Sequence, residues 1–229
     1  KNKLKLSDIT LLAVANHQDV DQTQISLKIS SQNIEFGAIK LITSAQPKIK
    51  YPDIEYVSIQ PLNFLDYNRF MMKDLHKYFK TSHCLYVQSD SFVVNSNLWK
   101  KEFLEFDYIG APWSDKVHIN NLVLNMEKNP VGNGGFSLRS RKLLETTTKI
   151  NFDSLKFPIM HEDVIFCHYL YKKMVDQGVR FAPPKLAAQF SLENVNHLYG
   201  QDVNSVFGFH GKHLRNHFLK KYVLNKLDT

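Results

Sequence analysis

The sequence predicts an α/β fold, an open sheet whose parallel strands are joined by helical crossovers. Three observations carry this. Residues 9–15 form a continuous apolar run, as in a parallel strand covered on both faces. Residues 67–79 place Tyr67, Phe70, Met71, Leu75 and Tyr78 on one helical face. Strand and helix patterns alternate through the first 90 residues, which builds a sheet with right-handed crossovers.

Taken in order, residues 9–15 are the first strand and 24–33 a weakly patterned helix. Residues 38–43 and 55–59 are the next two strands. The helix over 67–79 leads into a fourth strand, 84–88. In such sheets ligands bind beyond the carboxyl ends of the strands, here at Ala15-Asn16-His17, Thr43-Ser44 and Gln88-Ser89-Asp90. The second half is less regular. Residues 107–113 are dense in turn formers and aromatics, and 130–138 are a glycine-rich approach to a short strand. Ser140 is placed to cap a helix running to about Lys149. His161-Glu162-Asp163 opens another helix, closed by Gly178. Residues 179–182 read as a late strand stopped by Pro183-Pro184.

The chain has 229 residues, 43% apolar and 22% charged. That suffices for one large domain with a proper core. Disorder, collagen and a disulfide-stapled miniprotein are excluded by composition, and no apolar run approaches the ~20 residues of a membrane span. The two cysteines, Cys84 and Cys167, lie in apolar stretches and read as core residues, not nucleophiles. Net charge is +7, which suggests an anionic partner. From Lys212 to Thr229, five basic residues face the single acid Asp228. This tail is either a solvated helix face or a contact for an anionic membrane surface. It lacks the interleaved aromatics of a nucleic-acid site, so nucleic acid is not expected as a partner.

Four segments can carry chemistry. Asp90, just past an apolar strand, is placed either to hold a divalent cation that bridges two phosphates or to cap a turn. Gly132-Asn133-Gly134-Gly135 lets backbone approach a ligand, or simply turns into a strand; it lacks the spacing of a phosphate or dinucleotide loop. Glu162 and Asp163 suit the positive end of a helix and equally a general base at a cleft. They are not a zinc-protease helix, because no second histidine follows at the required spacing. His210, in Phe207-Gly-Phe-His-Gly211, is a metal ligand or a partly buried turn histidine.

Together these segments resemble a bacterial glycosyltransferase-like family known mainly as a domain of unknown function. The resemblance rests on Asp66-Tyr-Asn-Arg-Phe-Met71, residues 86–95, Phe106-Asp-Tyr-Ile-Gly-Ala-Pro-Trp113, residues 131–140, His161-Glu-Asp163, Phe181-Ala-Pro183 with Phe190-Ser191, and Phe207-Gly-Phe-His210, in that order. The extreme N-terminus and the basic tail match poorly. The family looks like the GT-A type of nucleotide-sugar transferase.

The resemblance implies a GT-A-like, Rossmann-type mixed sheet flanked by helices in a single domain, 1–229. Within it, 1–95 would be a nucleotide-binding half, 96–211 an acceptor and catalytic half, and 212–229 the basic tail. It implies a sugar transferase, inverting, with Asp163 as base and Glu162 holding acceptor hydroxyls. Donor contacts fall on Asn16, Gln88, Ser89, Asp90, Gly134 and Gly135. Acceptor contacts fall on His161 and on Trp113, whose flat face suits a sugar ring; Tyr108 offers a similar face, and core packing is the other reading of both. The implied cofactor is a divalent cation, Mn²⁺ or Mg²⁺, on Asp90 and His210. Here the sequence departs from the Asp-x-Asp pattern, because Gln88 stands where the first Asp is usual. The implied donor is a nucleotide diphosphate sugar, UDP-linked by preference, and the acceptor a glycan or lipid-linked sugar. The implied location is cytoplasmic, at most peripheral on the inner membrane face. The rival reading is a non-catalytic nucleotide-sugar or carbohydrate-binding module derived from a transferase.

Overall fold

The computed structural model describes residues 2–195 and 197–227. Its central strand is β1 (Leu4–Ala15), followed by α1 (Val20–Ser30), β2 (Ile34–Thr43) and β3 (Glu55–Ser58). Next come α2 (Phe64–Lys73), a 3₁₀ turn at Leu75–Tyr78, β4 (His83–Val87) and β5 (Ser91–Val93). The second half holds β6 (Tyr108–Ile109), the hairpin β7 (Lys116–Ile119) and β8 (Leu122–Asn125), β9 (Phe136–Ser140) and α3 (Arg141–Thr147). It ends with α4 (Glu162–Val164), α5 (Tyr171–Asp176), α6 (Pro184–Phe190), β10 (Ser191–Leu192), β11 (Gly208–His210) and α7 (Lys212–Leu227).

The main sheet has the order β3-β2-β1-β4-β9-β6. Strands β1 to β4 are mutually parallel, and β9 is antiparallel to both β4 and β6. The chain moves outward from β1 to β2 and β3, then returns to β4 on the other side of β1. That reversal opens a crevice at the carboxyl ends of β1 and β4, where α/β sheets bind ligands. Asn16 and Gln88 lie at those two ends. Residues 9–15 of β1 are all buried, which is why that run is apolar on both faces. Before them the register of β1 against β2 shifts between Leu6 and Thr10. Gly37 sits at this bulge because a Cβ there would overlap the Ser7 carbonyl.

Local rules account for the helix ends. Asn63 caps α2, its side chain accepting from Asp66 N–H at 2.9 Å, so the helix starts three residues earlier than the apolar pattern suggested. Ser140 caps α3 as expected, accepting from Leu143 N–H at 2.9 Å, a contact worth ~1 kcal/mol. The helix opened at His161 is not continuous. A π turn at Ile165–Tyr169, closed by Leu170 N–H donating to the Ile165 carbonyl, separates α4 from α5.

Three expectations are corrected. Residues 179–182 are not a strand: only Phe181 bridges, parallel to Tyr108, because β6 is two residues long and offers no ladder to extend. Pro183-Pro184 does not stop structure but starts α6, with Pro184 in its first turn, where a missing N–H costs nothing. Helix α1 begins at Val20, not Gln24. A second, three-stranded sheet, β10-β11-β5, takes its β5 from just past the carboxyl end of β4. Asp228 and Thr229, the end of the basic tail, lie outside the described residues. Among the described residues no helix is long and apolar enough to cross a membrane.

Candidate functional site

A cleft of about 890 Å³ lies at the carboxyl edge of the sheet. Gln88, Trp113, Gly134, Gly135, His161, Glu162, Asp163 and His210 all line it. Two smaller cavities adjoin it through Gln88. One holds Asn16 and Ser89; the other adds Asp90. The residues singled out as donor, acceptor, catalytic and metal candidates therefore line three neighbouring cavities that share Gln88.

At one end stands the acidic helix start. Asp163 accepts from Gly134 N–H through Oδ2 and from Val164 N–H through Oδ1, each at 2.8 Å. Two backbone donors thus fix the carboxylate, and each oxygen keeps a further lone pair for a ligand. Glu162 is held differently. Its Oε1 accepts from Arg139 Nη2 at 2.8 Å, and its N–H donates to Asn68 Oδ1 at 2.8 Å. Arg139 is wholly buried, stacked over Tyr86, and also donates to the Gly134 carbonyl at 3.1 Å. Burial pushes the Glu162 carboxyl up, against the pull of Arg139. Glu162 therefore spends one oxygen on the buried ion pair and braces the glycine turn against the helix start. His161 packs edge-on against Phe64, ring centroids 5.1 Å apart.

The glycine turn joins the two ends of the cleft. Asn133 takes a left-handed φ of 66°, which Asn tolerates better than most residues. A Cβ on Gly134 would crowd Arg139 and Glu162, and one on Gly135 would overlap the ring of His210. Trp113 is packed on Gly132 in the same way and is only 7% exposed. Most of its ring is thus committed to the core, leaving little face for a sugar.

At the other end, β5 pairs with β11 so that Ser91 lies opposite His210. This register brings Asp90 beside the imidazole. His210 Nε2 faces Gln88 Oε1 at 3.2 Å and Asp90 Oδ1 at 3.5 Å. Nδ1 faces Asn133 Oδ1 at 2.9 Å and Glu193 Oε1 at 3.0 Å. All four are acceptors. Burial alone would lower the His210 pKa, but the hydrogen bonds and charges of Asp90 and Glu193 outweigh it and hold it at about 10. Asp90 is lowered in turn: burial raises it, and His210 overcomes that. Gln88 is itself fixed, its Nε2 donating to the Tyr67 hydroxyl at 3.0 Å, which bonds Tyr86 at 2.6 Å.

Among the described residues no three His, Cys, Asp or Glu side chains group as a metal site. Gln88 Oε1 and Asp90 Oδ1 each face His210 Nε2, at 3.2 and 3.5 Å. Oxygen and imidazole donors at these separations fit neighbouring positions around a hard divalent cation, whose ligands at ~2.1–2.5 Å lie roughly 3.0–3.5 Å apart. A cation there would displace the Nε2 proton.

Several residues of the site were not anticipated. Glu193 holds His210, Arg139 holds the turn, and from α2 Tyr67 holds Gln88 and Asn68 holds the Glu162 N–H. The start of the basic tail also belongs here. Lys212 and Arg215 line the roughly 600 Å³ cavity beside Asp90, and Arg215 Nε donates to the Ser89 carbonyl at 2.9 Å.

The family described as "Protein of unknown function (DUF5672)" matches residues 53–210. The chain belongs to this family. The DUF5672 match thus covers α2, the glycine turn, the acidic helix start and His210. Comparison with the curated proteins gives no match. Among solved structures, the galactosyltransferase LgtC in complex with donor and acceptor sugar analogs is 13% identical with a TM-score of 0.50, covering 89% of this chain and 87% of that one. The glycosyltransferase GlyE of Streptococcus pneumoniae TIGR4 is 11% identical, TM-score 0.53, covering 99% of this chain and 63% of its own. A glycosyltransferase involved in glycosylation of the major capsid of PBCV-1 is 15% identical, TM-score 0.50, covering 92% and 98%. At such identity these likenesses speak for the fold. This DUF5672 chain has the GT-A glycosyltransferase fold in one mixed α/β domain.

Proposed function

We propose that the chain transfers a sugar from a nucleoside diphosphate sugar to an acceptor hydroxyl, with inversion. The observation that carries this reading is the pair of consecutive glycines: Gly134 N–H holds Asp163, and Gly135 lies under His210. The proposed base and the proposed metal-binding end thus rest on adjacent residues of one turn in a single cleft. The bond from the anomeric carbon to the diphosphate oxygen breaks, and its electron pair leaves with the diphosphate. The acceptor oxygen bonds the anomeric carbon from the opposite face, which inverts it, and its proton passes to Asp163. A UDP-linked donor and a glycan or lipid-linked acceptor are the favoured pair.

Asn16, Gln88, Ser89 and Asp90 lie at the carboxyl ends of the switch-point strands, where the nucleotide belongs. Mn²⁺ or Mg²⁺ would be held by Gln88, Asp90 and His210. When bound, such an ion supplies positive charge against the departing diphosphate. Lys212 and Arg215 add charge of the same sign from α7.

The neutral amide of Gln88 favours a second reading, a sugar-nucleotide-binding module without turnover. A thermal-shift screen of nucleotide sugars with and without Mn²⁺, followed by slow donor hydrolysis, separates the two. A donor that stabilises the protein and is hydrolysed supports the transferase. Stabilisation with no hydrolysis or transfer supports the module. No stabilisation by any nucleotide sugar sinks both.

A further inference from the structure

The lining of the 890 Å³ cleft includes apolar side chains that the donor and the base do not account for. Nine large apolar side chains are exposed among the described residues, and three of them, Phe64 at 53%, Val195 at 51% and Leu198 at 65%, line this cleft. Val117 and Ile119 of β7 line it as well, half-buried. Two further exposed side chains, Leu122 and Val123, are on the paired strand β8. The hairpin is held by a tight two-residue turn, with Asn120 and Asn121 both at positive φ. Exposed apolar side chains lining a cleft mark a binding surface.

The chemistry of that lining narrows its occupant. Sugars stack their apolar faces on flat aromatic rings; in this cleft Trp113 is largely committed to Gly132, and Phe64 packs edge-on against His161, beside the acidic helix start, where the sugar would lie. Val117, Ile119, Val195 and Leu198 are branched aliphatics, which present no flat face but pack well against methylene chains. The same cleft contains Asp163 and Glu162, so a molecule on these side chains is bound in the cleft of the reacting hydroxyl. We propose that the acceptor carries an alkyl or isoprenoid chain, which lies on these side chains while its sugar hydroxyl faces Asp163. The proposal rests on the sugar-transfer reading for the hydroxyl; the chain site is measurable without turnover.

Calorimetric titration of the full chain with octyl β-glucoside, kept monomeric, and with methyl β-glucoside tests it. The octyl compound is expected to bind at least tenfold tighter. The double substitution V195S/L198S, at two exposed positions, is expected to bring octyl affinity down to that of methyl. Equal affinity for the two glucosides overturns the proposal, as does an octyl preference that the double substitution leaves intact, since the chain then binds elsewhere. Association with phosphatidylcholine vesicles without any octyl preference also overturns it, making these side chains a membrane contact. If no nucleotide sugar is bound or hydrolysed while the octyl preference survives, the transfer reading fails and the chain site stands.

Discussion

Gly135 lies so close to His210 that a single added methyl would overlap the imidazole. The ring has little room to yield, because Asn133 and Glu193 hold one nitrogen and Gln88 and Asp90 face the other. Gly135→Ala is therefore expected to cost ~1–3 kcal/mol of stability, the range for overpacking a filled site. It should also displace Nε2 from Asp90 and weaken Mn²⁺-dependent nucleotide binding about tenfold or more. Denaturant melts and nucleotide titrations with and without Mn²⁺ read the two effects. A variant with wild-type stability and affinity would show that the turn and the ring do not constrain one another.

Asp163→Asn tests the base, and the structure shows that it also tests the turn. Both carboxylate oxygens accept backbone N–H bonds, from Gly134 and Val164. An amide offers one oxygen; its NH₂ would face the other N–H. A loss of ~1–2 kcal/mol is expected from that mismatch alone. Transfer should fall by about 10²–10⁴-fold while donor affinity is retained, since general-base catalysis contributes in that range. Initial rates at saturating donor, beside a donor titration, separate the effects. Turnover within a few-fold of wild type would remove Asp163 from the chemistry.

The parts of the molecule legible in sequence were those whose pattern is local. Residues 9–15 read as a buried strand because all seven are covered on both faces, and Ser140 read as a cap because its hydroxyl serves an N–H three residues on. The hairpin β7–β8 was missed because its Asn120-Asn121 turn lacks the glycine that usually marks such turns, β7 alternates over only four residues, and β8, Leu-Val-Leu-Asn, does not alternate. Helix α6 was missed because a Pro pair reads as a stop, although a proline fits a helix's first turn. In the site, Asp90, the glycine turn, Glu162-Asp163 and His210 stood out by residue type. Glu193 did not, since only the pairing of β10 with β11 carries it to His210. Arg139 gave no such signal, because β9 reads Phe-Ser-Leu-Arg-Ser and a polar residue among serines looks solvent-facing, whereas all five residues are buried.

Arg139 and Glu162 form a buried ion pair at 2.8 Å, with the guanidinium fully covered. Removing one partner leaves the other charge buried without compensation. Arg139→Met is expected to lose ~3–5 kcal/mol. Arg139→Met combined with Glu162→Met should lose clearly less than the sum of the single losses, because neither charge is then stranded. Urea unfolding of the wild type, the two single variants and the double variant completes the cycle. Strict additivity would mean that the pair is not coupled and that the brace on Gly134 lies elsewhere.

His83, at the start of β4, gives the folded state a pH dependence of known sign. Its Nε2 faces the Phe106 carbonyl at 3.1 Å and its Nδ1 the Ser82 hydroxyl at 3.0 Å. Burial lowers its pKa below 6.5, opposed by the Phe106 hydrogen bond and by the charge of Asp107. Well above pH 6.5 neither the folded nor the unfolded chain protonates this ring, and it contributes no slope. Below pH 6.5 the unfolded chain takes up a proton that the folded one resists, so stability falls as pH falls, until the folded ring protonates as well. His83→Gln keeps a donor for the Phe106 carbonyl but cannot titrate. Its stability is expected to fall less steeply than the wild type's as pH drops below 6.5. Part of the slope should remain, because His168 is also lowered by burial. Urea midpoints measured at several pH values for both proteins check this, and parallel curves would show that His83 is protonated alike in the folded and unfolded chains.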